Sequence, residues 1–385
     1  GELAFVPGST NQIAAAASWG DTTFPIRNPA EVDYEVYTPA VGYGTLRLYS
    51  LADFVEASAS AAYGYQDIVV IEEAPEDLTR VVSGIVTGTR QGTLSHLNVR
   101  SSSRGTPNCY IRAPLETLLP WKDQLIRFEC GSSNWSAAAA GQEEAEAFWS
   151  DLRPDPVSIC SPDYSVRATP GLLEAQTDSA EQRRSNLCSY GSKGSNLATL
   201  YQRIAPDLQL SGFMIPFAFY EQFMEEGTWQ VDLGSGLASH SFAETIVAWH
   251  EDPVFLTDAG IRSQRLEALR TAMMAAPVSP DILEAVAEKV RATWGNDTTM
   301  ARVRSSSNAE DSLDFSGAGL YESTSICLAD ELDSDTTGPS RCDPDKEQER
   351  PVADGLKEVW ASLWGLAPWE ERAWYGIDHT QVAMG

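Results

Sequence analysis

The pattern of apolar residues changes once along this 385-residue chain, at the proline-bearing segment RPDPVSICSPD (153–163). Before it, short apolar runs such as DIVVIE (67–72) and VVSGIVTG (81–88) are punctuated by Gly and Ser, which is typical of strands joined by loops. Beyond it, apolar residues recur with the spacing of amphipathic helices. We therefore place a domain boundary near residue 155 and expect an α+β or α/β arrangement in both halves.

Local patterns predict several elements within this division. In the first half, LADFVEASASAA (51–62) and SAAAAGQEEAEAFWSDL (136–152) are predicted helices. In the second half, FLTDAGIRSQRLEALRTAMM (255–274) and GLKEVWASLW (355–364) are predicted helices, and ARV (301–303) is a predicted strand that enters a loop.

One helix has both a start signal and a clear apolar face. Ser279 can cap it, and Pro280 suits its first position. The residues that then fall on one face are Ile282, Leu283, Val286, Val290 and Trp294.

The charge of the chain excludes whole classes of partner. Lys and Arg number 27 against 55 Asp and Glu, so the formal net charge is −28. Such a chain repels nucleic acid and anionic lipid, because both are bound largely through their phosphates. No apolar run reaches the roughly 18 residues that a membrane span needs. We expect neither a nucleic-acid partner nor a membrane span.

The six cysteines are compatible with two states, free thiols or disulfides. None forms a CxxC pair, which disfavours a zinc site. Their even number permits disulfides, but spacing alone does not establish any pairing. Pairing in simple sequence order would join Cys109–Cys130, Cys160–Cys188 and Cys327–Cys342. The compartment therefore stays open between a bacterial cytoplasm and export.

A first candidate phosphate site is the segment YGSKGSNLATLYQRI (190–204). Gly191 and Gly194 flank Lys193 immediately before a predicted helix. Glycines allow close backbone approach, amide groups at a helix start point toward an anion, and the lysine adds a full charge. The chain contains only five lysines, yet the spacing is not that of a Walker motif.

A second candidate phosphate site is the segment RSSSNAEDSLDFSGAGLYES, which begins at Arg304. The Arg304 guanidinium can fork onto phosphate oxygens, and Ser305 and Ser306 add hydroxyl donors. The alternative is an ordinary turn in which Arg304 pairs with Glu310 or Asp311. The segment alone does not decide between the two.

Taken together, GSKGSNLATL, LSGFMIPFAFYEQFM and RSSSNAEDSLDFSGAGLYES closely resemble the nucleotide-binding domain of the phosphoenolpyruvate synthase and pyruvate phosphate dikinase family. The matching residues are Gly191, Lys193, Gly194, Asn196, Leu197, Pro216, Phe217, Arg304, Ser305, Ser306, Glu310, Asp311, Ser316 and Gly317. The resemblance implies an ATP-grasp-like fold in which Lys193 and Arg304 contact ATP phosphates and the 315–322 loop covers them. The other residues that it places in the nucleotide site are Gly191, Gly194, Ser305, Glu310, Ser316 and Gly317.

His96 is the candidate catalytic residue, because an exposed neutral imidazole can accept a phosphoryl group near pH 7. A loop or helix-cap histidine without chemistry is the alternative. Its segment, SGIVTGTRQGTLSHLNVRSSSRGTPN, resembles the swivelling phosphohistidine domain of the same dikinases. The matching residues are Gly84, Thr87, Ser95, His96, Gly105 and Pro107. The remaining histidines match no family position and are predicted to be structural: His240, His250 and His379.

The chain departs from the family pattern near its end. In VWASLWGLAPWEERAW, Arg372 can take the place of the family's second arginine, but its first arginine aligns with Ala367. The family's second ATP-grasp lobe, which holds magnesium, would begin near Gly385. We therefore expect the metal ligands in that lobe, in the same or another chain. The acidic insertion at 327–355 is predicted to be a solvated surface loop.

The resemblance thus implies a leading segment (1–37), a swivelling phosphohistidine β/α domain (38–155) and an apparently incomplete first lobe of an ATP-grasp-like domain (156–385). It implies a dikinase-type phosphotransferase that uses ATP and Mg²⁺, forms AMP and moves a phosphoryl group through His96 to an unidentified acceptor. The alternative is a non-catalytic nucleotide-binding or scaffold module with a degenerate or truncated site. Whether the chain turns over without the second lobe is left open.

Overall fold

The computed structural model describes residues 4–5, 7, 10–19, 25–26, 32–92, 95–311, 315–317, 319–333, 335 and 337–385. The chain divides into two compact units, residues 1–154 and 155–385. Both units mix helices and strands. The identities predicted for them, a phosphohistidine domain and an ATP-grasp lobe, stay predictions.

The first unit is built on a mixed seven-stranded sheet with the order β1-β5-β4-β3-β2-β6-β7. Strands β2 to β5 run parallel to one another, and β1, β6 and β7 are each antiparallel to their neighbour. Three strands separate β1 from β2 in the sheet, yet only Pro39 separates them in the chain. The sheet therefore curls, which brings β1 close to β2. The strands are β1 Tyr34–Thr38, β2 Ala40–Tyr49, β3 Asp67–Ile71, β4 Gly84–Thr87, β5 Asn108–Ile111, β6 Leu125–Cys130 and β7 Trp135–Ala139.

Both faces of the central strands are covered, which explains their continuous apolar runs. In β3, Ile68 and Val70 belong to one core cluster, whereas Val69 and Ile71 belong to another. Leu97 is also part of the second cluster. The helices of this unit are α1 Thr10–Ser18, α2 Leu51–Ala59, α3 His96–Arg104, α4 Pro114–Thr117 and α5 Gln142–Leu152, with a 3-10 turn at Leu119–Trp121.

The prediction of a single helix over 136–152 is wrong for the first third of that range. Residues Trp135–Ala139 form β7, which pairs antiparallel with β6, and the helix α5 begins only after Gly141. The alanines favour a helix by intrinsic propensity, but the pairing with β6 overrides that weak preference.

The second unit is mainly helical. Its helices are α6 Ala180–Tyr190, α7 Ser192–Leu200, α8 Phe217–Glu226, α9 Phe242–His250, α10 Pro253–Thr257, α11 Ala259–Ala275, α12 Pro280–Trp294, α13 Leu328–Leu332, α14 Val352–Ser362 and α15 Leu366–Trp374, with 3-10 turns at Pro206–Leu208 and His379–Gln381. Two antiparallel strand pairs join them: β8 Thr228–Asp232 with β9 Leu237–Ser241, and β10 Ala301–Arg304 with β11 Ser323–Ile326. An aromatic-rich core that includes Phe217, Phe223 and Trp360 holds the unit together.

Two predicted helices of this unit differ in detail from their prediction. The segment 255–274 is interrupted at Asp258, whose carboxylate accepts a hydrogen bond from the Ile261 amide at 3.0 Å and caps α11. Pro280 is the first residue of α12, as predicted, but the Ser279 hydroxyl donates to Asp281 at 2.6 Å instead of capping the backbone.

The acidic insertion (327–355) is held in place by a disulfide and by hydrogen bonds. Cys327 and Cys342 form a disulfide. The buried carboxylate of Asp330 accepts hydrogen bonds from the backbone amides of Arg341 at 2.8 Å and Arg350 at 2.9 Å. The other four cysteines are thiols. In the described part of the chain, no helix is both long and apolar enough to cross a bilayer.

Candidate functional site

The helices α6 and α7 meet at Gly191, and the shape of this turn requires glycine. Gly191 has φ +82° and ψ 173°, a backbone conformation that residues with a Cβ rarely adopt. A Cβ at this position would lie 2.2 Å from the carbonyl oxygen of Ser306. The turn therefore packs directly against the segment 305–311 that follows β10, which we call the serine loop.

Hydrogen bonds join the turn to the serine loop. The Ser192 amide donates to the Ser307 carbonyl at 3.0 Å, and the Gly194 amide donates to the Ser306 hydroxyl at 3.0 Å. The Ser306 hydroxyl in turn donates to the carbonyl of Tyr190 at 2.7 Å. These two amides, expected to point toward a bound anion, are thus engaged within the protein. What the turn offers to a ligand is the side chain of Lys193.

Lys193 and Glu310 form an ion pair at the centre of this arrangement. The Lys193 ammonium donates to the Glu310 carboxylate and lies 3.4 Å from the Ser305 hydroxyl. The other Glu310 oxygen accepts from the Ser307 amide at 2.7 Å. Burial raises the pKa of Glu310 to about 7, although Lys193 and the Ser307 amide act in the opposite direction. Glu310 therefore pairs with Lys193 and not with Arg304, which was one of the two pairings that the turn alternative offered.

The remaining predicted nucleotide residues surround this ion pair. Arg304 is the exposed last residue of β10, directly before Ser305. The Ser316 carbonyl accepts from the Asp311 amide at 2.9 Å. Gly317 has φ +62°, and a Cβ there would lie 2.9 Å from that of Glu310. Residue 318 of the predicted covering loop lies outside the described residues.

The last residues of the chain belong to the same arrangement. Gly385 and Ser306 exchange two backbone hydrogen bonds, of 2.9 Å and 3.2 Å. The Ala383 amide donates to the Asn308 side chain at 3.0 Å, and the Asn308 amide group donates to the carbonyl of Cys160 at 2.8 Å. No pattern in the sequence indicated these contacts, because residues 383–385 carry no charged or turn-forming signature beyond one glycine.

Arg372, aligned with a phosphate-contacting arginine of the family, is a core residue in this structure. Its side chain is fully buried. The guanidinium donates to Nδ1 of His379 at 3.2 Å, to the Tyr321 hydroxyl at 3.3 Å and to the Leu363 carbonyl at 2.9 Å. His379 stacks on Trp369 with 3.6 Å between ring centroids. Burial, together with Arg372, lowers the pKa of His379 well below its ordinary value, so its ring is neutral.

His96 lies in the first unit, at the first position of α3. The Ser95 hydroxyl caps this helix by accepting from the Asn98 amide at 3.3 Å. About half of the imidazole is exposed (51%), and its Nδ1 lies 3.9 Å from an Asp77 carboxylate oxygen. Arg100 holds that carboxylate at 2.9 Å. The histidine is thus accessible, with a carboxylate on one side of its ring.

Among the described residues, no group of three potential metal ligands lies at the ion pair or beside His96. Glu310 already accepts hydrogen bonds at both of its oxygens. One group of three potential ligands occurs elsewhere, in the acidic insertion, where oxygens of Asp333, Asp335 and Glu349 lie within 4.8 Å of one another. Arg341 pairs with Asp333 there. An acidic cluster of this kind is common on protein surfaces without a metal.

The comparison with protein families identifies this region. The model of the pyruvate phosphate dikinase AMP/ATP-binding domain matches residues 188–385, just over half of the chain. The match includes the turn at Gly191, the serine loop and the last residues, and it supports binding of AMP or ATP. No curated protein matches the chain. The chain belongs to the family of the pyruvate phosphate dikinase AMP/ATP-binding domain.

Proposed function

We propose that the protein is a dikinase-type phosphotransferase, which takes a phosphoryl group from ATP onto His96 and passes it to an acceptor that is not identified. The observation that carries this proposal is the Lys193 turn packed on the serine loop, inside the region that matches the AMP/ATP-binding domain. By analogy with the family, AMP is the nucleotide product and Mg²⁺ accompanies ATP. Of the two phosphoryl groups that leave ATP, one goes to His96 and the other goes to water as inorganic phosphate.

In this proposal Lys193 supplies the charge that holds the phosphates. About a third of its side chain is exposed (32%), so the ammonium can reach a phosphate oxygen without leaving Glu310. Arg304, exposed at the end of β10, adds a second cation, and Ser305 adds a hydroxyl. Fixed positive groups of this kind stabilise the charge that develops during phosphoryl transfer.

His96 is the proposed phosphoryl acceptor. Asp77 lies on the Nδ1 side of the ring, so in this proposal Nδ1 carries the proton and Nε2 has the free lone pair. The nucleophile is therefore Nε2, where the new nitrogen–phosphorus bond forms as the phosphorus–oxygen bond to the nucleotide breaks. Asp77 orients the ring and stabilises the positive charge that the imidazole gains.

The second candidate function is a nucleotide-binding module without turnover. Two observations favour it: Ala367 stands where the family has an arginine, and Arg372 is buried among core residues. Neither position of this segment then supplies a charge to a phosphate. The two candidates share the site at Lys193 and differ in the chemistry at His96.

Intact-mass spectrometry separates the two candidates. The natural protein is incubated with Mg²⁺ and ATP, and recombinant wild type, His96→Ala and Lys193→Met are treated in parallel. We expect a gain of one acid-labile phosphoryl group in the wild type and in neither variant. Calorimetric titration with ATP provides the second readout. A natural protein that binds ATP but gains no phosphoryl group would be a binding module.

A further inference from the structure

The buried thiols of Cys109 and Cys130 lie against each other, although they belong to strands that are not neighbours in the sheet. Cys109 on β5 is opposite Val36 of β1, and Cys130 on β6 is opposite Ala40 of β2. Because β1 runs into β2 through Pro39, these two partners lie close in the chain and bring the cysteines together. The Cys130 side chain interacts with the Cys109 thiol and contributes to its raised pKa, and both residues pack in one core cluster.

The thiols of Cys160 and Cys188 form a second such contact in the other unit. The Cys188 side chain interacts with the Cys160 thiol and contributes to its raised pKa. A backbone bond supports the arrangement independently, since the Asp163 amide donates to the Cys188 carbonyl at 2.8 Å. This bond holds the segment around 160–163 along α6, beside Cys188.

Each of the six cysteines thus has another cysteine as its neighbour. The third pair, Cys327 and Cys342, is already joined as a disulfide. The three contacts follow the simple order of the cysteines along the chain, and they lie in three different parts of the fold. Six cysteines at unrelated positions would not be expected to lie in three neighbouring pairs.

Other roles for the unjoined thiols fit the structure less well. Zinc needs four ligands, and no described His, Cys, Asp or Glu completes a group of three with either pair. A nucleophilic cysteine needs a lowered pKa, whereas burial raises the pKa of Cys160 to about 12 and that of Cys109 well above its ordinary value. Oxidation to a disulfide is the chemistry that remains for two facing thiols.

We propose that Cys109–Cys130 and Cys160–Cys188 are disulfides in the mature protein, which then carries three disulfides and folds in an oxidising environment. Each pair forms one sulfur–sulfur bond and releases two protons and two electrons. The electrons reduce a disulfide oxidant, such as oxidised glutathione, to two thiols by thiol–disulfide exchange. Because Cys109 and Cys130 are buried, this exchange takes place before their core closes.

The Cys160–Cys188 bond would also connect the two segments that hold the candidate nucleotide site. Cys188 lies in the last turn of α6, three residues before Gly191. The carbonyl of Cys160 accepts from the side chain of Asn308 in the serine loop. A disulfide between Cys160 and Cys188 would therefore hold the last turn of α6 against the segment around Cys160, whose carbonyl is bonded to the serine loop.

Thiol counting on the whole protein tests the proposal. The protein is refolded in glutathione buffers whose oxidised fraction is raised until Cys327 and Cys342 no longer react with a maleimide in denaturant. These two cysteines serve as the internal standard for oxidation. In that same sample we expect the other four cysteines to be unreactive. Peptide mapping should then recover linked peptides that join Cys109 to Cys130 and Cys160 to Cys188.

Two results would overturn the proposal: maleimide on any of the four cysteines while the standard pair is protected, or linked peptides with crossed partners. Single variants sharpen the assignment. Cys160→Ser should leave only Cys188 reactive, and the matched control Cys342→Ser should leave only Cys327 reactive. The wild-type map requires no variant to fold, so it decides the proposal by itself.

Discussion

Lys193 and Glu310 depend on each other within the candidate nucleotide site. Glu310 is almost fully buried (2% exposed), and a buried carboxylate is costly unless it is paired and hydrogen-bonded. Lys193 and the Ser307 amide provide those partners. A variant at Lys193 therefore changes both ligand binding and folding, and the two effects have to be separated before a binding role is assigned.

We expect Lys193→Met to abolish ATP binding and to lower the free energy of unfolding by on the order of 3 kcal/mol at a pH well above 7, where Glu310 would be a buried unpaired charge. The control is the double variant Lys193→Met with Glu310→Gln. It should recover most of the stability in urea unfolding but none of the ATP binding in calorimetry. Recovery of binding in the double variant would show that Lys193 acts only on folding.

Glu310 also predicts a pH dependence of stability. Burial raises its pKa from the ordinary value of 4.5 to about 7, so between these values the folded protein keeps a proton that the unfolded chain releases. The contribution of protonated Glu310 to the free energy of unfolding is complete below pH 4.5 and is lost as the pH rises through 7. Relative to Glu310→Gln, the wild type should lose about 3 kcal/mol of unfolding free energy across this range. A constant difference between the two proteins would contradict the prediction.

At the scale of elements, the junction of α6 and α7 is the part of the site that local geometry controls. The positive φ of Gly191 ends one helix and starts the next within a single residue. The amides of the first turn of α7 then bond to the serine loop. Two elements more than a hundred residues apart in sequence are thereby held at contact distance.

Gly191→Ala should break this junction. The Cβ would be strained at φ +82° and would lie 2.2 Å from the Ser306 carbonyl oxygen, so we expect a loss of about 3 kcal/mol and of ATP binding. The matched control is Gly141→Ala, at φ −81° with nothing within 4 Å of the new Cβ. It should change stability by less than about 1 kcal/mol. Equal effects of the two substitutions in urea unfolding would argue against the tight junction.

At the scale of the whole molecule, the net charge of −28 governs the long-range electrostatics of the fold. Charges of one sign repel one another in the compact state, and salt screens this repulsion. The screening length falls from roughly 30 Å at 0.01 M salt to about 8 Å at 0.15 M. Surface carboxylates that lie far apart in the fold therefore interact in dilute buffer but hardly at physiological salt.

We expect the Tm to rise when sodium chloride is raised from about 0.01 M to about 0.15 M, because self-repulsion weakens over this range. Differential scanning calorimetry at constant pH measures the shift. A lower Tm at the higher salt would mean that attractive ion pairs such as Arg262–Glu370, rather than net repulsion, dominate the electrostatics of the fold.

Several features were predictable because they depend on neighbours in sequence. The apolar spacing in α12 and the buried run of β3 follow from local periodicity, and the structure has both elements. The order of the three nucleotide-domain segments indicated the family that the comparison then showed for residues 188–385. The role predicted for His96 stays a prediction, since it depends on chemistry and not on pattern.

The sequence by itself indicated several of the elements, the family of the second unit and the sign of the surface charge, since these follow from composition and local order. Only the tertiary structure decided which partners these residues have. It paired Glu310 with Lys193, buried Arg372 beside His379 and turned 135–139 into a strand. The physical reason is that such contacts join residues far apart in the chain, where packing and desolvation outweigh the weak preferences of each segment.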